Sequence, residues 1–335
     1  MKAAIYNGIY DVVIQELPMP ECGDNDIIVK NLYASICGSD VAAYRFGGDL
    51  VRIFKGFEFG HEMVSEVVEV GKNVRDIAIG DRVYPYPRAA KADISRSATV
   101  GGFSEYVLIP NFELNKSVYL VNESISSKVA ALTEPFTVGT CSARKANPQK
   151  GQTAIVFGAG AIGISAAIAL KHWGIEHIMI VDQSDFRLNI ARNFGFETCN
   201  SAKADVVSKA QAVFGRMQEY PPIGINVDIY IDAVGVKPVI EQWKAMAKYG
   251  CKLVIAGVHH EPVPVDLSQI TFFDIQIIGS AGYHPQDVLT VFEIMESGKF
   301  DLESLITQEF DLDHINEAIL KAASPDESLK VQIKY

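Results

Sequence analysis

The rhythm of hydrophobic and polar positions changes twice along this chain, near Gly151 and again after about Gly282. Before Gly151, short runs rich in Val, Ile and Tyr are separated by Gly, Pro and Asn. The segments 27–33, 64–70 and 103–109 read as strands, with turns at Gly71-Lys72-Asn73 and Ile79-Gly80-Asp81. This portion is predicted to be mostly β, with an irregular stretch between Pro85 and Thr99. From residue 153 the strands become continuous apolar runs, at 153–157, 178–182, 227–231, 252–256 and 275–278. Helical stretches lie among them: one running to Trp173, then 185–194 and 239–248. Apolar strands alternating with helices imply a parallel sheet covered on both faces. After Gly282 the pattern predicts a helix over 286–297 and a closing strand over 329–333.

The first apolar run of the parallel sheet leads into Gly158-Ala159-Gly160-Ala161-Ile162-Gly163. A glycine pattern of this kind is weak by itself, but here a strand precedes it, a helix follows, and an acid comes after the next strand. Gly158 permits the tight turn, Gly160 lets backbone approach a pyrophosphate, and Gly163 lets helix and strand pack closely. Free N–H groups and the positive dipole end of the helix would face the phosphates. Asp182 lies nineteen residues beyond Gly163, where its carboxylate would accept ribose hydroxyls and repel a 2′-phosphate. No Arg or Lys occurs between it and Arg187, so NAD is favoured over NADP. The structural alternative is a solvated loop aspartate beside a glycine turn that binds nothing. Candidate cofactor contacts are Gly158, Gly160, Ala161, Ile162, Gly163, Asp182, Arg187 and Val258.

Three upstream segments carry metal-ligating side chains: Cys37-Gly38-Ser39-Asp40, Gly60-His61-Glu62 and Glu134-Pro135. Alone, each has a structural explanation: Cys37 as a small core residue, His61 as a hydrogen-bonded core histidine, Glu134 as an exposed acid at a helix start. Together they match what zinc takes, thiolate, imidazole and carboxylate, with catalytic sites keeping one position open. Cys37 and Glu134 as anions with neutral His61 would cancel the charge of the metal and leave room for an alcohol oxygen.

Composition narrows the function classes. A formal net charge of -11 argues against nucleic acid, which is bound by neutralising phosphates with Lys and Arg. Five cysteines, Cys22, Cys37, Cys141, Cys199 and Cys251, are scattered without a C-x-x-C pair, which suits a reducing compartment better than a disulfide framework. The first residues lack the apolar core of a signal peptide, and the longest apolar stretch, 162–170, is about half of a bilayer span. A cytoplasmic location without membrane partners is expected.

With Gly80-Asp81-Arg82-Val83, Gly101-Gly102-Phe103-Ser104-Glu105-Tyr106 and Glu134-Pro135-Phe136 added to these segments, nearly the whole sequence resembles one family. That family is the zinc-containing medium-chain alcohol dehydrogenases of the sorbitol, threonine and butanediol dehydrogenase type. The resemblance implies a GroES-like, mostly β catalytic domain over 1–137 and 282–335. It also implies a Rossmann NAD-binding domain, a doubly wound parallel sheet, over 138–281. It implies a catalytic zinc on Cys37 and His61, with Glu62 and Glu134 as the other candidate ligands, and catalytic roles for Cys37, Ser39, His61 and Glu62. Asp40 would support the imidazole of the metal histidine, and Lys330 would lie near the cofactor and the metal cysteine. Zinc would act as a Lewis acid on an alcohol, Ser39 would begin proton removal, and hydride would pass to the nicotinamide.

Departures from the family pattern refine these expectations. The loop 84–100 contains no Cys, so one catalytic zinc per chain and no structural zinc are expected. Ala42 stands where relatives often have the histidine that ends a proton relay, leaving water or another group such as Tyr44 for that task. Ser65 replaces a common glycine. Glu134 in place of a second Cys tilts the substrate toward polyols, sugar alcohols, diols or hydroxyamino acids. Homodimers or homotetramers are the family rule. The competing readings are a zinc-free quinone or enoyl reductase of the same fold and a non-catalytic NAD-binding protein.

Overall fold

The computed structural model describes residues 1–87, 101–218 and 223–335, which form two compact units. One comprises Met1–Pro135 and Met295–Tyr335, the other Phe136–Ile294. The chain opens with β1 (Lys2–Gly8), β2 (Asp11–Glu16), β3 (Ile27–Ser35) and α1 (Gly38–Phe46), followed by β4 (Phe57–Glu58) and β5 (Glu62–Val70). Next come β6 (Arg82–Pro85), β7 (Tyr106–Ile109), β8 (Val118–Leu120), α2 (Ser127–Ala130) and α3 (Thr133–Lys145). The second unit then alternates β9 (Thr153–Phe157), α4 (Ala161–His172), β10 (His177–Asp182), α5 (Asp185–Asn193), β11 (Glu197–Asn200) and α6 (Val206–Phe214). It continues through β12 (Ile229–Asp232), α7 (Lys237–Met246), β13 (Lys252–Ile255), α8 (Leu267–Phe272), β14 (Gln276–Gly279) and α9 (Pro285–Glu296). The chain closes with β15 (Ile306–Asp311), α10 (Ile315–Ala322) and β16 (Lys330–Lys334).

In the first unit a larger sheet runs β15-β16-β3-β5-β6-β8, with β7 also on β3, and a smaller one runs β2-β1-β4. The closing strand therefore lies antiparallel to β3, with Gln332 opposite Ser35. Its apolar positions Val331 and Ile333 enter the same core as Ile27, Val29, Met63, Phe103 and the α10 residues Ile315 and Ile319. The two faces of β16 are both buried but differ in character, so a one-residue slip would drive Lys330 and Gln332 into this apolar core. That register carries Lys330 to the end of β3, where Cys37 follows.

The strand expected over 103–109 is regular only from Tyr106 to Ile109. Residues 101–103 instead clamp the segment before His61: Gly101 and Gly102 N–H donate to Gly60 O at 3.2 and 2.9 Å, and Phe103 N–H to Phe59 O at 3.0 Å. Gly60 has φ +89°, and a Cβ there would come within 2.8 Å of the Phe103 ring. Ser65 serves the same clamp. Its hydroxyl donates to Asn31 Oδ1 at 2.7 Å, while Asn31 Nδ2 donates to the carbonyls of Gly101, Gly102 and Ser104. The irregular stretch expected after Pro85 and most of the cysteine-free loop, residues 88–100, lie outside the described residues.

The six strands of the second unit are all parallel in the order β11-β10-β9-β12-β13-β14. Ile155, Phe157, Met179, Val181, Tyr230 and Leu253 pack with Val239, Ile240, Trp243 and Met246 of α7 on one face. The alternate residues Ala154, Val156, Ile178, Ile180, Ile229 and Ile231 are also buried, as an α/β sheet covered on both sides requires. Chain order reverses between β9 and β12, and open α/β sheets take ligands at the carboxyl ends of strands at such a point. No helix among the described residues is long and apolar enough to cross a membrane.

The clamp on Gly60 predicts a specific cost. Gly60→Ala should lower the unfolding free energy by roughly 1–3 kcal/mol, since left-handed backbone strain and a ring clash add. Urea unfolding measures this; an unchanged midpoint would contradict the described packing.

Candidate active site

Cys37 sits at the N-cap of α1 with extended backbone, φ -89° and ψ 156°, and its N–H donates to Asp40 Oδ2 at 2.9 Å. Its neighbour Ser39 is half-buried in the first turn of the same helix. His61 follows the clamped Gly60, and Glu62 opens β5 with 1% exposure. Single donor atoms of Cys37, His61 and Glu62 lie within 4.8 Å of one another, the only such group of three among the described residues. Ligands at 2.0–2.3 Å around one tetrahedral zinc are themselves about 3.3–3.8 Å apart, so small side-chain adjustments suffice.

Glu134 is buried nearby, at the start of α3, rather than exposed. It does not belong to the tight group of three, yet its charge acts on His61, Glu62 and Lys330. The turn that delivers it is held by Ser35 Oγ, which donates to Ala131 O at 3.2 Å, and by Gln332 Nε2, which donates to Lys128 O at 2.9 Å. Lys330, 4% exposed, donates to Ile36 O at 2.9 Å and forms an ion pair with Glu62.

The electrostatics of this cluster point one way. Burial raises the Asp40 carboxyl to about 6, against the pull of His61 and the Cys37 N–H. Burial and Glu134 also raise Glu62, although Lys330 opposes them. Burial alone would lower His61, but Cys37, Asp40 and Glu134 hold its pKa well above the ordinary imidazole value. Burial likewise works against the Lys330 ammonium, and Glu62, Cys37 and Glu134 outweigh it. Four acidic groups thus face one lysine and one histidine in a dry environment. Buried charge has to be paired, and a divalent cation on thiolate, imidazole and carboxylate supplies what is missing. The donor set fits zinc. Asp40 Oδ1 is buried and takes no hydrogen bond from the described residues, so it is free to accept from an imidazole N–H. Tyr44, by contrast, is a core side chain, its ring edge-on to Tyr10 at 5.3 Å.

In the second unit, Gly158, Gly160 and Gly163 stand in three different surroundings. Gly158 has φ +100°, and a Cβ on Gly163 would lie 1.8 Å from Gly158 O. A Cβ on Gly160 would meet only the tip of Arg187, at 3.7 Å. The protein's own packing does not demand glycine there. Ala161 and Ile162 form the first turn of α4 behind it. Asp182, at the end of β10, accepts Ala159 N–H at 2.7 Å and Ser184 N–H at 2.8 Å, which fixes it over the glycine turn. Val258, 70% exposed, follows β13 at the same end of the sheet. Sequence reasoning missed Asp232 and His259, which meet at the ends of β12 and β13 with Oδ2 and Nε2 2.8 Å apart. Their one signal was position, at the carboxyl ends of parallel strands.

Residues 23–117 match the family model described as alcohol dehydrogenase GroES-like domain, and residues 161–297 the one described as zinc-binding dehydrogenase. The chain belongs to the zinc-containing medium-chain alcohol dehydrogenase family. It is 28% identical to a sorbitol dehydrogenase of Bacillus subtilis (strain 168), over 99% of this chain and 97% of the relative. An L-threonine 3-dehydrogenase of Serratia proteamaculans (strain 568) is 26% identical, over 90% of each chain. Among solved structures, 2R,3R-butanediol dehydrogenase from Bacillus subtilis shares the fold, with a TM-score of 0.84, 24% identity and coverage of 100% and 99%. This family member is therefore an oxidoreductase that uses zinc and a nicotinamide cofactor, and its two units are a GroES-like and a Rossmann-like fold.

All five cysteines are free, and only some are accessible. Burial raises the Cys141 and Cys199 thiols and pushes Cys251 up to about 11, whereas Cys37 is half-buried. In metal-free native protein, iodoacetamide should label Cys37 well before Cys141, Cys199 or Cys251. Mass spectrometry of timed samples would show the reverse order if the burial pattern is wrong.

Proposed function

We propose that the protein is an NAD-dependent dehydrogenase of secondary alcohols, with one catalytic zinc per chain and no structural zinc. The observation that carries this reading is the group of half-buried Cys37 and His61 with buried Glu62, set among an excess of acidic charge. Cys37 and His61 would hold the metal, with Glu62 and Glu134 as the exchangeable carboxylates. When bound, zinc supplies Lewis-acid polarisation of an alcohol oxygen, and NAD supplies the acceptor for hydride.

The chain's own residues do the rest. Lys330 would hold Glu62 in their ion pair and so moderate how firmly that carboxylate serves the metal. Asp40 fixes the His61 ring through its free oxygen. Ser39 hydrogen-bonds the substrate hydroxyl and passes its proton outward; because Ala42 carries no acceptor, water completes the route. In the Rossmann-like unit, the glycine turn and the start of α4 bind the pyrophosphate, Asp182 accepts the adenosine ribose hydroxyls, and Arg187 borders the turn. Asp182 is also the reason for NAD rather than NADP. Relatives named for sorbitol, threonine and butanediol support a polyol, diol or hydroxyamino acid as substrate. Strand β14 is a sheet edge with Ile277 40% exposed, which supports assembly into a homodimer or homotetramer. Five free cysteines support a cytoplasmic location.

Metal analysis and a substrate screen test the reading together. Purified protein should carry about one zinc per chain and reduce NAD with at least one polyol, diol or amino alcohol. Protein without zinc, inactive on all of them, would sink the proposal. Ser39→Ala should keep zinc and lower kcat by about 10²–10⁴-fold. Asp182→Ala should raise the KM for NAD and narrow the gap to NADP. If the wild type already prefers NADP, the role given to Asp182 is wrong.

A further inference from the structure

At the carboxyl end of the parallel sheet, the turns after β9, β12 and β13 are wedged against one another. A Cβ on Gly158 would approach Val234 Cγ2 to 3.0 Å, one on Gly257 would reach 2.2 Å from Gly235 N, and one on Gly235 would reach 2.5 Å from Val258 O. Asp232 joins these turns. It is fully buried at the end of β12, and its Oδ1 accepts Val234 N–H and Gly235 N–H at 2.9 Å each. Its Oδ2 lies 2.8 Å from His259 Nε2, and its backbone carbonyl accepts Ala256 N–H and Gly257 N–H at 2.9 and 2.8 Å. One residue therefore locks the turn after β12 through Oδ1, and the segment after β13 both through its backbone carbonyl and through His259.

What this lock holds in place is unusual for a structural brace. Val234 is 44% exposed and Val258 70% exposed, so two apolar side chains are held in water on rigid backbone. They stand beside the reversal of strand order, where a sheet of this kind takes its ligand. Asp182 sets the adenosine end of a dinucleotide on the β10 side of the glycine turn. The other end then extends across β12 and β13, over these valines.

We infer that Asp232 and His259 are positioning residues that hold Val234 and Val258 as the apolar wall receiving the nicotinamide end of the cofactor. The inference rests on the proposed binding of NAD in this unit. Neither residue touches the reacting atoms. The rigidity they impose removes an ordering cost that a loose segment would add to binding.

Binding rather than turnover tests this, with NADH followed by its fluorescence and ADP-ribose, which lacks the nicotinamide ring, by calorimetry. His259→Leu leaves Asp232 its two backbone donors and should weaken NADH about ten-fold, the size of one lost charge-assisted hydrogen bond. ADP-ribose affinity should change less than about two-fold, because it does not reach the wall. His259→Gln, whose Nε2 can donate to the same carboxylate oxygen, should recover most of the NADH affinity. Unchanged NADH binding in His259→Leu would overturn the inference, as would equal losses for NADH and ADP-ribose. Wild-type protein that binds neither ligand would bring down the cofactor reading itself, and the inference with it.

Discussion

Everything in the first unit is arranged around an imbalance of buried charge. Asp40, Glu62 and Glu134 are drawn together out of water beside half-buried Cys37, with Lys330 and His61 to answer them. A protein interior tolerates such a cluster only if something pairs the charge, and protons or a cation are the available partners. Burial raises the proton affinities of Asp40 and Glu62, and the neighbouring anions raise that of His61, which favours the first option. The second option explains why the donors are a thiolate, an imidazole and carboxylates rather than acids alone. The surrounding fold exists to hold that cluster in register: Gly60 under Phe103, the Ser65–Asn31 clamp, and a C-terminal strand that carries Lys330 back to the end of β3.

The second unit obeys a different constraint, close approach of backbone. Gly158 and Gly163 are needed by the turn itself, and Gly160 is not. That contrast separates a glycine turn that merely folds from one that leaves room for a guest. Asp182 and Asp232 play parallel parts on either side of it, each a carboxylate at a strand end accepting the N–H groups of the turn it caps. The acidic strand ends thus build the floor of the site before any ligand arrives.

Much of this was legible in the sequence, and the exceptions are physical. The buried parallel strands announced themselves because both faces are apolar. The strand–glycine–helix order around residue 158 then marked the candidate cofactor turn. Cys37, His61 and Glu134 read together as candidate metal donors and Glu62 only through the family resemblance, whereas the structure groups Cys37, His61 and Glu62 most tightly. Less legible were contacts between segments distant in the chain. Nothing local marks Lys330 as the partner of Glu62, since β16 reaches β3 only through long-range pairing. The segment 103–105 looked like strand because its residues favour strands, but its N–H groups go to Phe59, Gly101 and Lys2 instead of a regular ladder. Glu134 alone suggested an exposed helix start, and tertiary packing buries it. His259 carries no motif at all; only the meeting of two strand ends reveals its partner.

The central claim is that the buried acidic cluster is a zinc site of mixed sulfur, nitrogen and oxygen donors. X-ray absorption at the zinc edge of the purified protein tests it most directly. The account predicts a shell with one sulfur at about 2.3 Å and the remaining nitrogen and oxygen donors at about 2.0–2.2 Å, with the sulfur lost in Cys37→Ser. A four-sulfur shell, or a sulfur that survives that substitution, would contradict it.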